Sequence, residues 1–280
     1  GKCDFVIITG DFVNKGTIEN FNHARDVVRY LYTKLELNES KIALCIGNHD
    51  YLFEEEEKQS YNEARKDYYD FRDKASLGYQ YVTKQEKYSI GLLDSETLYV
   101  ELDSTRGGDP KAPGKFSEYE INQLVIDIKS YITNETDLIV FGSHYPLISF
   151  IDYPFPTDDS WYDNHVWKDG TVLRKRLSME LESLNLLWLF GDTHQRAIER
   201  RGNELFVMTG RIGTQLQEKS NPSSISEVPR QATTIEYING SIKVKTYHYR
   251  SENHSFRQLE GKAIPDRIYS GKLYTHQADT

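Results

Sequence analysis

The sequence is poor in cysteine, in long apolar runs and in positive charge. Cys3 and Cys45 are its two cysteines, so it has no disulfide framework, and we interpret both as small core residues. No apolar run approaches the roughly 20 residues of a membrane-spanning helix. Acidic residues outnumber basic ones by 43 to 34, a net charge of −9, which disfavours nucleic-acid binding because that needs clustered Lys and Arg. Composition identifies no compartment, and a cytoplasmic location is the default expectation.

Short apolar runs that are typical of buried strands alternate with helical patterns over most of the chain. Apolar residues recur every three or four positions in residues 21–35, 121–132 and 173–184, and Ser117 and Glu120 have the spacing of a capping box before the second of these helices. Strands that alternate with helices predict an α/β layered domain. The predicted strands are residues 5–9, 42–46, 98–102, 138–141, 186–190 and 205–208.

The remaining segments have a different character. Residues 51–75 are charged and rich in tyrosine, and we predict a solvated helical insertion there. Asn239 and Gly240 lie between two β-prone stretches, which predicts a hairpin. Residues 251–280 are polar and lack periodicity. We therefore expect one domain over residues 1–250, followed by a polar tail or linker over residues 251–280.

Four of the predicted strands run into a glycine followed by side chains that can bind a metal ion. Ligands of open α/β sheets bind beyond the carboxyl ends of the strands, so we expect these side chains to converge on one rim. Mixed Asp, Asn and His ligands suit Mn, Fe or Zn better than a thiolate site or a calcium cage. The candidate residues are Asp11, Asn48, His49, His144, Asp192 and His194.

Each of these loops has a simpler interpretation when it is taken alone. A Gly-Asp pair after a strand is usually a turn or a helix cap, and a single histidine there is more often structural than a ligand. Four such loops, each following an apolar run, are hard to explain as four independent turns. The combination therefore favours a metal site.

Four motifs follow one another in a fixed order along the chain. They are Gly-Asp-x-x-Asn-x-Gly at residues 10–16, Gly-Asn-His-Asp at 47–50, Gly-x-His-x-Pro at 142–146 and Gly-x-x-His at 191–194. This order resembles that of the calcineurin-like metallophosphoesterases over roughly residues 1–250. The resemblance implies a two-sheet α/β sandwich flanked by helices, in αββα layers. It also implies two metal ions at the carboxyl ends of the strands and the hydrolysis of phosphoric esters.

The resemblance further implies roles for the candidate ligands. Asp11 would bridge two divalent metal ions, since a carboxylate can bridge two cations and a neutral side chain does so poorly. Asn48 and His144 would bind the second metal, and His194 would bind the first. Two divalent metal ions are therefore the expected cofactors.

Phosphoester hydrolysis would take place at the same centre. Negative charge builds on the entering and leaving oxygens, and two cations about 3.5–4 Å apart can stabilise both and provide a metal-bound hydroxide near neutral pH. His49 would lie near the leaving-group oxygen as a general acid or hydrogen-bond donor, Asp50 would orient His49, and Asn14 would shape the first loop. We thus predict a metallophosphoesterase that acts on a small phosphomonoester or phosphodiester, such as a nucleotide.

Two departures from the family pattern bear on this prediction. The family's first Asp-x-His motif, which would supply two ligands to the first metal, is absent, and we expect truncation rather than natural loss. Asp192 stands where the family usually has the first histidine of Gly-His-x-His. As a ligand it would favour Mn or Fe over Zn; otherwise it lies outside the ligand shell and orients a histidine. Both departures leave open a catalytically impaired binding or scaffolding domain.

Two further groups of residues bear on the substrate. The connection over residues 145–170 is rich in aromatic side chains, which would either stack on a substrate or pack onto the body of the domain. The expected partner is a small phosphoester, and the oligomeric state stays open. Four arginines follow predicted strands: Arg196, Arg200, Arg201 and Arg211. One of them would hold a phosphate oxygen, or all of them are solvated.

Overall fold

The secondary structure is that of a mixed α/β protein. The computed structural model describes residues 4–13, 16–37, 42–50, 61–76, 80–105, 114–148, 167, 169–192, 196–209, 231–238, 241–250, 255–258 and 267–269. The helices are α1 (Ile18–Leu35), α2 (Tyr61–Ala75), α3 (Glu118–Tyr131) and α4 (Gly170–Glu180), with a 3-10 turn at Asn48–Asp50. The strands are β1 (Val6–Thr9), β2 (Ile42–Cys45), β3 (Tyr81–Lys84), β4 (Tyr88–Leu92), β5 (Thr97–Leu102), β6 (Leu138–Ser143), β7 (Asn185–Phe190), β8 (Arg196–Arg201), β9 (Glu204–Thr209), β10 (Gln231–Ile238), β11 (Ser241–Arg250), β12 (Ser255–Gln258) and β13 (Arg267–Tyr269).

The strands form one large sheet and two small ones. The seven-stranded sheet has the order β3-β4-β5-β6-β7-β9-β8, and its centre from β5 to β9 is parallel. Strands β1 and β2 form a parallel pair, and β10 to β13 form an antiparallel sheet around β11. The six predicted strands are confirmed as β1, β2, β5, β6, β7 and β9. The predicted hairpin is confirmed as β10 and β11, in which Ile238 pairs with Ser241.

The elements stack in four layers. Helices α3 and α4 share an apolar core with one face of the seven-stranded sheet, where the rings of Phe141 and Trp188 stack at 4.1 Å. The opposite face of that sheet shares a second core with Ala43 of β2 and Val244 of β11. Helices α1 and α2 cover the two-stranded sheet. The predicted αββα sandwich is therefore confirmed, with the two small sheets together forming its second β layer.

The helices begin and pack as their sequence patterns predict. The Thr17 hydroxyl caps α1 by accepting the amide of Asn20 at 3.2 Å. Ser117 and Glu120 form the predicted capping box at the start of α3, each side chain accepting the other's backbone N–H. Helix α4 ends at Glu180, and the predicted apolar face continues from there through a turn that leads into β7.

Helix α2 confirms the predicted helix over residues 61–75, but one of its faces is buried, so the prediction that this segment is solvated is wrong there; residues 51–60 lie outside the described residues. Tyr68 and Phe71 pack into the core shared with α1 and β2. Arg72, only 1% exposed, pairs with Glu101 of β5, and its guanidinium lies 4.4 Å from the centroid of the Tyr69 ring. The charged composition of this segment concealed an apolar face, and a carboxylate remote in sequence neutralises its buried arginine.

The chain's last segments contain short strands. Strands β12 and β13 both pair with β11, and they lie in the range expected to be a polar tail. The boundary at residue 250 stays a prediction. No helix in the described ranges combines the length and the apolar character needed to cross a membrane.

We expect Glu101→Gln to lower the free energy of unfolding by about 3 kcal/mol, because Arg72 would stay buried without its ion-pair partner. Urea denaturation measures the change. Asp73→Asn is the matched control, since Asp73 contacts the same guanidinium at 3.3 Å but is 46% exposed. Its loss should cost less than about 1 kcal/mol. Equal losses in the two variants would contradict the buried pair's importance.

Candidate metal centre

Four loops meet where the two-stranded and seven-stranded sheets adjoin. Asp11 follows β1 and the turn Asn48–Asp50 follows β2, whereas His144 follows β6 and Asp192 follows β7. Strand β1 is parallel to β2, and β6 is parallel to β7, so within each sheet the two loops begin at the same side, where the strands have their carboxyl ends. The candidate centre is therefore shared between the two sheets and depends on how they are aligned.

The loops after β1 and β2 touch through their backbones. Gly10 and Asp11 have φ angles of 100° and 57°, in the left-handed region that favours glycine. A Cβ atom on Gly47 would overlap both the amide nitrogen and the carboxylate of Asp11. The glycine at position 47 thus permits the close approach that brings Asn48 to Asp11.

The Asp50 carboxylate joins these two loops. It is fully buried and accepts backbone N–H groups from Gly47 at 2.8 Å, Asp11 at 3.1 Å and Val13 at 3.2 Å. In return, the Asp11 carboxylate accepts the backbone N–H of His49 at 3.1 Å. Burial and the nearby Asp11 charge raise the pKa of Asp50 to about 8, against the opposing effect of the N–H bonds. The bonds of Asp50 therefore organise the backbone that carries Asp11 and His49.

His144 is oriented by a backbone carbonyl of the other sheet. Its Nδ1 lies 2.8 Å from the carbonyl oxygen of Thr9, which can only accept, so Nδ1 carries the hydrogen. Its Nε2 faces three oxygens: Asn48 Oδ1 at 2.8 Å, Asp11 Oδ1 at 3.4 Å and Asp192 Oδ1 at 3.5 Å. The imidazole is 1% exposed, and the side chains of Asp11 and Asn48 around it are half-buried.

This arrangement of acceptor atoms requires a positive charge. In a neutral histidine that bears its proton on Nδ1, the Nε2 lone pair would face carboxylate and amide oxygens. Burial opposes protonation, but Asp11, Asp192 and the Thr9 carbonyl outweigh it and raise the pKa of His144 to about 9. A divalent cation would supply the same charge and would take the place of the proton. The donor set therefore fits a metal ion.

The described donors do not make a complete centre by themselves. Within the part of the chain that the structure describes, no group of three or more His, Cys, Asp and Glu side chains forms a ready cation site. The donors instead converge on one atom, His144 Nε2. His194, the ligand expected for the first metal, and Asn14 lie outside the described residues.

The structure thus brings together four of the sequence-predicted ligands, Asp11, Asn48, His144 and Asp192. His49 lies in the same turn and is half-buried. The bonds described for Asp50 go to backbone amides of the two loops, and one of these amides belongs to Asp11, whose carboxylate accepts the backbone N–H of His49.

The structure describes some of the aromatic residues and arginines that were expected near a substrate, and the others lie outside the described residues. Tyr145 and Trp167 are each 1% exposed in the core under α3 and α4, which supports the packing interpretation for these two aromatics. Arg200 and Arg201 lie toward the end of β8 that pairs with the start of β9, whereas Arg196 pairs with Thr209 at the other end. The rest of the aromatic connection, residues 149–166, and Arg211 lie outside the described residues.

Two residues that the sequence analysis did not single out adjoin the centre. Thr9 supplies the carbonyl that holds His144, and its hydroxyl lies 3.3 Å from that of Thr209. Thr9 is the one polar residue of its predicted strand, which was an available signal. A carbonyl's role leaves no trace in the residue type, because every residue has one.

Comparison with known proteins places the chain in a family. The sequence model of the calcineurin-like phosphoesterases matches residues 1–196, which is more than half of the chain. The chain therefore belongs to the calcineurin-like phosphoesterase family, and this membership supports phosphoester hydrolysis and divalent-metal binding in general. A search of curated proteins gives no match.

The matches among solved structures have low sequence identity. Vps29 of Chaetomium thermophilum is 15% identical with a TM-score of 0.24, and the match covers 36% of this chain and 48%, about half, of that one. A conserved uncharacterized protein of Streptococcus pneumoniae, titled a predicted phosphoesterase, is 14% identical with a TM-score of 0.33, covering 95% of this chain and 97% of that one. Vacuolar Protein Sorting 29 of Cryptosporidium parvum is 11% identical with a TM-score of 0.23, covering 52% and 89%.

We expect Asp50→Ala to destabilise the junction of the two loops, because three backbone N–H groups would lose their acceptor. The free energy of unfolding should fall by about 3 kcal/mol. Amide hydrogen exchange at Asp11, Val13 and Gly47 should accelerate, as NMR can measure. Asp94→Ala is the control, since this exposed-loop carboxylate accepts a single N–H bond. Unchanged exchange in Asp50→Ala would show that the carboxylate does not hold the loops.

Proposed function

We propose that this chain hydrolyses a small phosphomonoester or phosphodiester with the help of two divalent metal ions. The observation that carries the proposal is the convergence of oxygens from Asp11, Asn48 and Asp192 on Nε2 of His144, in a chain of the calcineurin-like phosphoesterase family. Such a cluster of acceptors is favourable only with a proton on Nε2 or a cation among its members, and a divalent metal ion would take the place of the proton. The net charge of −9 is no obstacle, because bound metals are the largest local charges for a phosphate.

The ligands of the proposal come from both sheets. Asp11, Asn48, His144 and Asp192 would hold one ion, and Asp11 with His194 would contribute to the other. When bound, the two ions supply Lewis acidity to the phosphate oxygens and activate water near neutral pH. The Asp11 carboxylate suits a shared position, because it contacts both the His49 amide and the His144 ring.

We interpret Asp192 as a ligand rather than as a residue that orients histidine. A carboxylate that orients a metal-bound histidine accepts a bond from the ring nitrogen that faces away from the metal. In His144 that nitrogen is Nδ1, and the Thr9 carbonyl already occupies it. Asp192 instead faces Nε2, the nitrogen directed at Asn48 and Asp11. Three oxygens and one nitrogen favour Mn or Fe over Zn, although Zn can bind such a set.

His49 is the proposed proton donor to the leaving-group oxygen. It is half-buried, and its backbone N–H is anchored on Asp11. This bond anchors its backbone beside a candidate ligand, where the imidazole would come within hydrogen-bond reach of a bound leaving group, as general acid catalysis requires. Asp50 contributes through the bonds that fix this turn.

We expect His49→Ala to reduce turnover by a factor of about 10²–10⁴, the usual contribution of a general acid, while metal content stays unchanged. The measurements are elemental analysis of manganese-loaded protein and the hydrolysis of p-nitrophenyl phosphate and bis-p-nitrophenyl phosphate. His23→Ala is the matched control, because His23 is an exposed histidine of α1 and should change neither quantity.

The same assays separate the proposal from its alternative. Two metal ions per chain with turnover support a phosphoesterase, and Asp11→Asn should then weaken the binding of both ions. One ion or none, without turnover on either ester, would contradict the proposal and favour a non-catalytic binding or scaffolding domain. Loss of metal in His49→Ala would instead mean that His49 is a ligand.

We expect Asp192→His to shift metal preference from manganese toward zinc by about tenfold, because it replaces a hard oxygen donor with nitrogen. Competition titrations of the two metals measure the ratio of dissociation constants. Asp192→Asn is the control: it keeps an oxygen donor and loses charge, so both metals should bind more weakly without a change in preference. An unchanged ratio in Asp192→His would place Asp192 outside the ligand shell.

A further inference from the structure

The Thr209 hydroxyl lies between the loops that carry the candidate ligands. It donates to the carbonyl of Phe190 at 3.0 Å, so its oxygen is left to accept from the Thr9 hydroxyl at 3.3 Å. Phe190 ends β7 and precedes Gly191 and Asp192, while Thr9 ends β1 and precedes Gly10 and Asp11. One side chain thus links the two backbone segments that lead to Asp11 and Asp192.

Thr209 also contacts the third sheet. Its backbone carbonyl accepts the hydroxyl of Thr233 on β10 at 3.0 Å. Strand β9 itself pairs with β7 in the seven-stranded sheet. Through its hydroxyl and its carbonyl, Thr209 therefore joins the seven-stranded sheet to both smaller sheets at the end of the fold where the candidate centre lies.

The segments that Thr209 joins lie in close contact. A Cβ on Gly191 would overlap the carbonyl oxygen of Thr9, so the two strand ends approach as closely as glycine allows. The same Thr9 carbonyl holds Nδ1 of His144. A displacement of Thr9 relative to β7 would therefore change the distance between Asp11 and Asp192 and rotate the imidazole.

We propose that Thr209 is a positioning residue that sets the spacing between the ligands of the two-stranded sheet and those of the seven-stranded sheet. The inference rests on the proposed function in that the ligands bind a divalent cation. The hydroxyl pair adds alignment that apolar packing alone cannot supply, because apolar contacts are non-directional.

The test compares hydroxyl deletions of equal size. Thr209→Val keeps the shape of the side chain and removes its hydroxyl, and Thr9→Val breaks the same link from the other side. Thr209→Ser restores the hydroxyl. Thr83→Val is the matched control, because the half-buried Thr83 hydroxyl bonds Tyr131 at 3.0 Å between β3 and α3, away from the ligand loops.

The first readout is the dissociation constant of Mn²⁺, measured by calorimetry. We expect about tenfold weaker binding in Thr209→Val and Thr9→Val, the lower end of the effect of outer-shell changes on metal affinity. Thr209→Ser should restore the affinity, and Thr83→Val should leave it unchanged. A merely structural hydroxyl would lower the melting temperature in Thr209→Val and Thr83→Val alike and leave Mn²⁺ affinity untouched.

The second readout needs no metal. The Nδ1–H of His144 should give a protected ¹H–¹⁵N signal in the metal-free protein, because it is buried against the Thr9 carbonyl. We expect Thr209→Val to broaden or abolish this signal, while Thr209→Ser and Thr83→Val retain it. Retention of both the signal and the Mn²⁺ affinity in Thr209→Val would overturn the inference, as would identical changes in Thr83→Val.

The two readouts separate this inference from the proposed function. If the unaltered protein binds no Mn²⁺, the proposed function fails, and the His144 signal alone decides the role of Thr209. Loss of the signal in Thr209→Val would then support the alignment role, and its retention would overturn it.

Discussion

The hydrogen bond from His144 Nδ1 to the Thr9 carbonyl connects the two sheets at the point where the candidate ligands meet. It selects the tautomer of His144 and turns Nε2 toward Asn48, Asp11 and Asp192. Because Thr9 directly precedes the loop of Asp11, the same bond relates the ligands of one sheet to those of the other. When the ligands of a site come from two sheets, the distances between them depend on how the sheets are aligned. Hydrogen bonds at the strand ends fix this alignment because they are directional, whereas the apolar contacts of the core are not.

The centre is also defined by an excess of acceptors. Two carboxylates and an amide oxygen face one nitrogen of the buried His144 ring, and this arrangement is favourable only with a proton or a cation among them. Asp50 adds a further buried carboxylate, but three backbone N–H groups satisfy it. The two kinds of carboxylate therefore differ in their contacts: Asp50 holds the backbone of the two loops, whereas Asp11 and Asp192 face Nε2 of His144.

Helix α2 also contains buried charged groups that pair with groups of opposite charge from another element, away from the candidate centre. Arg72 is buried because Glu101 of β5 neutralises it and the Tyr69 ring covers it. Arg65, on the same helix, pairs with the buried Asp103 just after β5 at 3.4 Å. These pairs attach the helix that follows the Asn48–Asp50 turn to the seven-stranded sheet. Composition alone would place such charged residues on a solvated surface. In this fold their buried pairs specify which elements meet.

The local sequence determined the elements and the chemistry of the loops. Apolar runs predicted β1, β2, β5, β6, β7 and β9, the Ser117–Glu120 spacing predicted the start of α3, and the glycine-led motifs indicated the family and supplied the candidate ligands. These signals are readable because periodicity, capping and turn chemistry depend on residues a few positions apart. Only the tertiary structure decided three other features: the buried face of α2, the orientation of His144 by Thr9, and the links that Thr209 makes from its own sheet to the other two. Each depends on a contact between residues far apart in the chain, often through a backbone carbonyl that every residue type shares, so residue identity could not reveal it.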